Sequence, residues 1–432
     1  MIQRMQNESS WREKITPTTY FPSLNGHHSF DVVIIGGGMA GILTAYQLAR
    51  SGKKIALLEK GMIGGGATEY TTAFLTQSID TSAEDMIAMY GIENSKTIIE
   101  SHKVAIDTIE KIITDEKIEC EFKRCSNIIY ANDTGEYEDL EKEFEEMKKI
   151  GYDCELHDLK KELGFMHAGF IEVKNQAKFH PLKFLYALAD KTSRMGVKIY
   201  ENTEAKDFVV LDGRDPIIVT SGGEIISKQV IVTTYTPFEA PLSLYFKKGM
   251  YVSYVLELEI SKGIVTEGTY EDMKNPYHYF RIDSGEEFDR VIVGGEDHRK
   301  DIRVSPAKNF KALEEFARKT FGDVYTIKRR WNGPILEPVD GLPLIGSLKD
   351  SEVISYATAF SGNGMTYSAI SSIILSDKVL GKEHPWLSVY NAQRSLSIKS
   401  LAIKGKDYAE EFFQGAVKNT FSKKSDSVRK EE

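Results

Sequence analysis

The chain has 432 residues, enough for two domains and a large core, and its 41% hydrophobic and 28% charged residues are the balance of an ordinary soluble globular protein. A formal net charge of −9 argues against nucleic acid as a main partner, and no apolar run is long enough to span a bilayer. Three cysteines, Cys120, Cys125 and Cys154, make neither a disulfide framework nor a metal-ligand spacing; they read as free thiols in a reducing cytoplasm, and no metal is expected.

Residues 1–28 read as an extended lead-in. Pro17, Pro22 and Gly26 block regular structure, Trp11, Tyr20 and Phe21 pin the segment to the surface of the core, and the stretch before Trp11 has no apolar signal core. Residues 31–35 are a short Val/Ile run, the profile of a strand buried on both faces. Gly36, Gly38 and Gly41 follow in G-x-G-x-x-G spacing, and 42–50 carries Leu43, Tyr46 and Leu48 among helix formers until Ser51-Gly52 stops it. A second apolar strand, 55–58, ends at Glu59, 18 positions past Gly41.

Each residue type has a physical task in this β-α-β unit. Gly36 permits the tight turn out of the strand, Gly38 lets a pyrophosphate approach the backbone, and Gly41 lets helix and strand pack closely. The helix N-terminus offers N–H groups and a partial positive charge to phosphates. Glu59 can accept hydrogen bonds from ribose hydroxyls and disfavours a 2′-phosphate, so FAD or NAD is preferred over NADP. The glycines alone would equally suit a turn in another parallel α/β protein; strand, glycines, helix, strand and acid in order favour the dinucleotide. The loop 61–73, rich in glycine and hydroxyls, can bring backbone close to a phosphate chain and a flat ring.

Further along, 83–117 reads as helical, 122–130 as a strand, 136–150 as a charged amphipathic helix and 182–195 as a helix introduced by His180-Pro181. Short strands follow at 197–200, 208–211, 217–220 and 230–234. Residues 248–260 alternate, with Tyr254, Leu256 and Leu258 on one face and Tyr251, Ser253 and Glu257 on the other. Residues 277–282 and 290–294 form a hairpin around Asp283-Ser284-Gly285, and 309–321 is helical. Gly362-Asn363-Gly364-Met365-Thr366 opens a helix whose N-terminus points at whatever sits on those glycines. The tail after Asp377 is helical, then increasingly charged.

Taken together, VVIIGGGMAG, LLEK, IGGGATEYTTAFLT, VIVTT, DGLPLIG (340–346) and FSGNGMT (360–366) resemble the FAD-dependent D-amino-acid oxidase-like superfamily, which includes glycine and sarcosine oxidases. The lead-in around Trp11, TTAFLT, PYHYFRI and VGGEDHR are most similar to a bacterial branch whose members often carry a C-terminal Rieske domain. This chain has no Cys-His pairs after Thr366, so no iron–sulfur cluster is expected here.

The resemblance implies an α/β fold: a Rossmann-type, glutathione-reductase-like FAD domain plus an α+β substrate domain with a mixed or antiparallel sheet. The FAD domain would be assembled from 29–90, 160–240 and 335–395, the substrate domain from 91–159 and 241–334, with 396–432 a C-terminal helix and charged tail. It further implies that Gly36, Gly38, Met39, Ala40 and Gly41 cradle the pyrophosphate, Glu59 and Lys60 sit at the adenosine, and Ala67, Thr68, Thr71, Thr72 and Ala73 meet phosphate and flavin ring. Ala205 would read adenine, Thr233 and Thr234 lie near the pyrophosphate, and Gly346, Gly362, Asn363, Gly364, Met365 and Thr366 serve the flavin end.

The activity implied is oxidation of a C–N bond in a small amine or amino acid, with hydride moving to flavin N5 and the imine product hydrolysed by water. The electron acceptor is oxygen or a redox partner. A substrate carboxylate would need an arginine fork, and Arg281 is the expected anchor, with Tyr279 on the same strand face and Tyr251 lining the pocket. His278 points away from Arg281 and reads as structural; His298, Arg299, Lys248 and Met250 are weaker candidates. Three alternatives stand beside this reading: a 2-hydroxy-acid or glycerol-phosphate dehydrogenase, a catalytically inert flavoprotein subunit, and a nicotinamide-linked dehydrogenase, the last disfavoured by FSGNGMT.

Overall fold

A computed structural model describes residues 9–13, 15, 17, 19–159, 162–210, 213–237, 248–274, 276–300, 304–323, 325–348, 351–395 and 402–403. Two sheets organise them. The first has eight strands, and its main path runs Leu344–Leu348, Ser351–Thr358, Gly223–Val232, Gly26–Ile35, Ile55–Leu58 and Lys198–Tyr200. All neighbours from Ser351–Thr358 to Lys198–Tyr200 are parallel. Val32 and Ile34 face one core and Val33 and Ile35 another, which is why this strand reads as a continuous apolar run. Helices Met39–Leu48, Pro181–Arg194 and Gly364–Val379 pack together over one face, with the long helix Ile92–Glu116 against them.

The second sheet has nine strands, in the order Tyr325–Pro338, Lys248–Ser261, Phe288–Arg299, His278–Asp283, Gly268–Asp272, Lys123–Ala131, Gly169–Lys178 and Phe74–Leu75, with Cys154–His157 added to Gly169–Lys178. It is antiparallel except where Gly268–Asp272 meets Lys123–Ala131. Helix Pro306–Phe321 covers one face, where Phe310, Leu313 and Phe321 share a core with Tyr254, Leu256, Leu258 and Phe280. The alternation read in 248–260 therefore holds, apart from an irregularity between Val252 and Tyr254. The expected hairpin is the antiparallel pair His278–Asp283 and Phe288–Arg299.

Several expectations need correcting. The first strand begins at Gly26, paired with Gly223, so the lead-in is shorter than 28 residues. Trp11 does pin the lead-in, fully buried in a short 3-10 turn, Ser10–Arg12, and Phe21 packs against the same core, but Tyr20 is exposed and pins nothing. Gly169–Lys178 falls within 160–240 but pairs in the second sheet. The expectations for 1–8 and, apart from 402–403, for the 396–432 tail lie outside the described residues. Among the described residues, no helix is long and apolar enough to cross a membrane.

Candidate functional site

A cavity of about 460 Å³ is lined by residues of both sheets. From the first come Gly36, Gly38, Met39 and Ala40 of the crossover, Glu59 and Lys60 beyond the next strand, Ala205, and Thr233 and Thr234. The loop contributes Ala67, Thr68, Thr71 and Thr72, and the last crossover contributes Gly362, Gly364 and Met365. The second sheet supplies Ser253, Val255, Tyr279 and the Gly333-Pro334-Ile335 stretch.

The glycine turn is held by contact rather than by flexibility. A Cβ on Gly41 would lie 1.9 Å from the Gly36 carbonyl oxygen, so helix and strand meet there with no room for a side chain. Gly36 has φ +113°, and a Cβ there would lie 3.0 Å from the Thr233 backbone. Gly38 precedes helix Met39–Leu48 in extended backbone, and a Cβ there would meet only the Thr68 hydroxyl, at 3.3 Å. That hydroxyl accepts from the Met39 N–H at 3.2 Å, which ties loop to helix start. The amides of this first turn are those a helix leaves without intrahelical partners.

Glu59 is fixed at the wall by accepting from the Gly37 and Gly61 N–H groups, each at 2.8 Å. At the last crossover, the Asn363 side-chain amide donates to the Ser78 carbonyl at 2.7 Å, and Asp80 accepts from the Gly362 N–H at 3.2 Å. Ala359 and Ser361, both wall residues, hold positive φ of 61° and 48° without being glycine. Such backbone persists only where its surroundings enforce it, and it concentrates at ligand sites. A glycine cradle that a Cβ would fill, a fixed carboxylate and a helix N-terminus on one cavity fit an adenine dinucleotide.

Other predicted positions lie off the wall. Gly41 acts through packing. Gly346, at φ +109° in its strand, faces Leu387, because the antiparallel edge strand turns that position toward the C-terminal segment. Thr366 is buried, its hydroxyl donating to the Asn363 carbonyl, and Asn363 itself braces Ser78. Ala73, at φ +61°, turns its carbonyl away to Arg281.

Arg281 is the main correction. It is 1% exposed and absent from the wall. Its Nε and Nη2 grip Asp283 at 2.8–3.0 Å, and its Nη1 donates to the carbonyls of Thr72, Ala73 and Phe179 at 3.0–3.2 Å. Its guanidinium also stands 5.3 Å from the centre of the Trp11 ring, with Arg290 at 5.0 Å. The strand face was read correctly, but Asp283, two residues on and therefore on that face, claims the fork. Burial favours the neutral form of Asp283, yet Arg281, Arg290 and Lys178 outweigh it and hold the carboxylate far below its usual range.

Tyr279 does reach the cavity, its hydroxyl 3.1 Å from Ser253 Oγ and its ring stacked on Tyr277. Tyr251 does not: its ring lies against Gly249, leaving Ser253 to face the cavity. His278 is structural as read. It sits between Asp272 at 3.1 Å and Glu296 at 3.3 Å, stacked on Phe316. Burial opposes its charge, but the two carboxylates prevail and raise it to about 9. Sequence reasoning missed Ser253, Gly333-Pro334-Ile335 and Ala359; the Asn-Gly-Pro break at 332–334 was the available signal. Elsewhere, Glu155, His157 and Glu172 bring their ligand atoms within 4.8 Å of one another, but Lys174 pairs with Glu155 and Ser126 donates to Glu172.

A family model described as FAD dependent oxidoreductase matches residues 31–378. The chain is 32% identical over 394 residues to the Bacillus subtilis (strain 168) protein YhfW, named as a Rieske 2Fe-2S iron–sulfur protein, covering 90% of this chain and 75% of that one. It is 23% identical to gamma-glutamylputrescine oxidoreductase of Escherichia coli (strain K12), over 84% of this chain and 86% of that one. Among solved structures, glycine oxidase from Geobacillus kaustophilus superposes with a TM-score of 0.74 at 20% identity, covering 86% of this chain and all of that one.

Proposed function

Because the chain belongs to the FAD-dependent oxidoreductase family, we propose that it is an enzyme that oxidises the C–N bond of a small amine or amino acid. The cofactor is FAD. One observation carries the reading: a single cavity joins Glu59, the turn at Gly38 and Met39, and the wall at Tyr279 and Gly362. The similarity to glycine oxidase and to gamma-glutamylputrescine oxidoreductase supports an amine or amino-acid substrate.

In this reading Glu59 holds the ribose hydroxyls, and the Gly38 backbone with the Ala40 amide at the start of helix Met39–Leu48 holds the pyrophosphate. The hydroxyls of Thr68, Thr71 and Thr72 and the start of helix Gly364–Val379 border the ring end. FAD, when bound, supplies a two-electron acceptor for the hydride leaving the carbon beside nitrogen. Tyr279, Val255 and Ile335 exclude water from the substrate and orient it. No protein base is required if the amine enters neutral, and water completes hydrolysis of the imine. The glycerol-phosphate reading loses support, since among the described wall residues the only lysine or arginine is Lys60, next to Glu59.

Purified protein should be yellow, and its flavin should bleach anaerobically with at least one member of a panel of amino acids, primary and secondary amines and hydroxy acids. A chain that holds no FAD after reconstitution overturns the cofactor assignment. Bleaching by hydroxy acids alone overturns the bond assigned.

A further inference from the structure

Resting on the amine-oxidising reading above, we propose that the substrate end of the cavity selects an amine bearing a second positive charge and no carboxylate, rather than an α-amino acid. The first ground is the composition of the wall. On the second-sheet side its described residues are Ser253, Val255, Tyr279 and Gly333-Pro334-Ile335, none of them basic. Three cations of that sheet are spent elsewhere: Arg281, Arg290 and Lys178 converge on Asp283, and Lys178 also meets Glu267. An entering carboxylate finds no fork among the described residues there.

The second ground is the charge behind that wall. Asp80 Oδ2 accepts from the amide of Gly362, a wall residue, at 3.2 Å. Glu271 accepts from Asn127 at 3.3 Å; Asn127 also donates to the Ser78 hydroxyl at 3.1 Å, and the Ser78 carbonyl takes the Asn363 amide. Both carboxylates are thus tied to the residues that open helix Gly364–Val379. Burial and then the Asp80 charge push the Glu271 carboxyl up to about 7. The phenol of Tyr279, itself on the wall, is pushed up by burial and then by Asp297 and Asp80.

A third ground is independent of charge. The side-chain oxygen of Asn363 and the hydroxyl of Tyr367 are buried and have no hydrogen-bond partner among the described residues, and Tyr367 as a whole is 1% exposed. Because Asn363 Nδ2 already donates to Ser78, the orphan atom of that amide is the oxygen, an acceptor. The Asn363 oxygen is thus an unmet acceptor just behind the wall at Gly362 and Gly364, while the Tyr367 hydroxyl can also donate. Of the two orphan atoms, the Asn363 oxygen favours a donor such as an ammonium over a carboxylate.

The test uses FAD-loaded full chain, kept anaerobic, and three amines on a three-carbon skeleton: propylamine, 1,3-diaminopropane and β-alanine. Perturbation of the flavin absorbance gives each Kd, and bleaching gives each reduction rate. The diamine should bind at least tenfold more tightly than β-alanine, with propylamine between them. Glu271→Gln and Asp80→Asn should each cut the diamine's advantage threefold or more while leaving propylamine within twofold. Asp80→Asn risks the turn at Gly362, so Glu271→Gln, checked for retained flavin, is the deciding variant. β-Alanine binding as tightly as the diamine, or an advantage unchanged in Glu271→Gln, overturns the charge preference and leaves amine oxidation standing. A flavin that no amine or amino acid perturbs or bleaches overturns both.

Discussion

The indole Nε1 of Trp11 donates to the carbonyl oxygen of Thr71 at 2.6 Å, joining two residues 60 positions apart. Arg12 pairs with Glu69 at 2.5 Å, and Arg281 takes the next two carbonyls, of Thr72 and Ala73. The loop that borders the cavity is therefore held from outside by the lead-in and by the second sheet. Trp11→Leu should weaken FAD binding about tenfold and destabilise the apoprotein by about 3 kcal/mol, the usual cost of removing a buried aromatic. Trp11→Phe keeps most of the packing and loses one hydrogen bond, worth about 1 kcal/mol. FAD titration by fluorescence alongside thermal melts of apoprotein checks both; unchanged FAD affinity in Trp11→Leu would deny the loop this support.

Two glycines separate packing from cofactor approach. Gly41→Ala puts a methyl group 1.9 Å from a backbone oxygen, so it should both unfold readily and fail to retain FAD. Gly38→Ala meets only a hydroxyl at 3.3 Å, so stability should fall by no more than about 1 kcal/mol, as for a modest repacking, while FAD affinity drops at least tenfold. Denaturant melts of apoprotein and FAD Kd values for the pair give the comparison.

Arg281→Ala leaves Asp283 less well matched in a buried site, and such broken pairs cost about 3–5 kcal/mol. The expected result is poor yield and a lowered Tm. In whatever folds, glycine should affect the flavin no less than in the parent protein. A well-folded variant that has selectively lost affinity for carboxylates would restore Arg281 as an anchor.

His278 gives a pH signature. Its pKa is raised from 6.5 to about 9 in the folded chain, so it is the protonated form that the fold prefers. Its contribution is fully present below pH 6.5 and fades as pH rises toward 9; with allowance for solvent screening it is about 2 kcal/mol. His278→Gln should flatten the fall of Tm between pH 6.5 and 9, measured against the parent. The groups that face His278 are Asp272, Glu296 and the Phe316 ring, so the variant changes one titration and one stack.

The parts of this fold that were legible in sequence are those whose causes are local. The strand at 31–35, the glycine spacing, helix 39–48 and Glu59 each follow from neighbours within thirty residues, and all but Gly41 end on the cavity wall or under it. Strand Gly169–Lys178 was not legible. It carries Asn175, Gln176 and Lys178, poor strand formers, and Lys178 is acceptable in the core only because Asp283 and Glu267 meet it from far along the chain. Strand Tyr325–Pro338 was hidden in the same way by Arg329, Arg330 and Pro334. Arg281 shows the cost for function: its residue type and strand face suited an anchor, while its partners at positions 72, 73 and 179 cannot be inferred from spacing.

The 67–73 loop is bound by residues from both extremes of the described chain: Trp11 before it, Arg281 after it, and Trp331, whose indole donates to the Tyr70 carbonyl at 3.1 Å. The glycine fingerprint is thus not a portable module. A fragment that stops before the 325–338 strand carries the whole motif and two of these holds yet lacks the third, and a nascent chain completes the clasp only after more than three hundred residues have been synthesised.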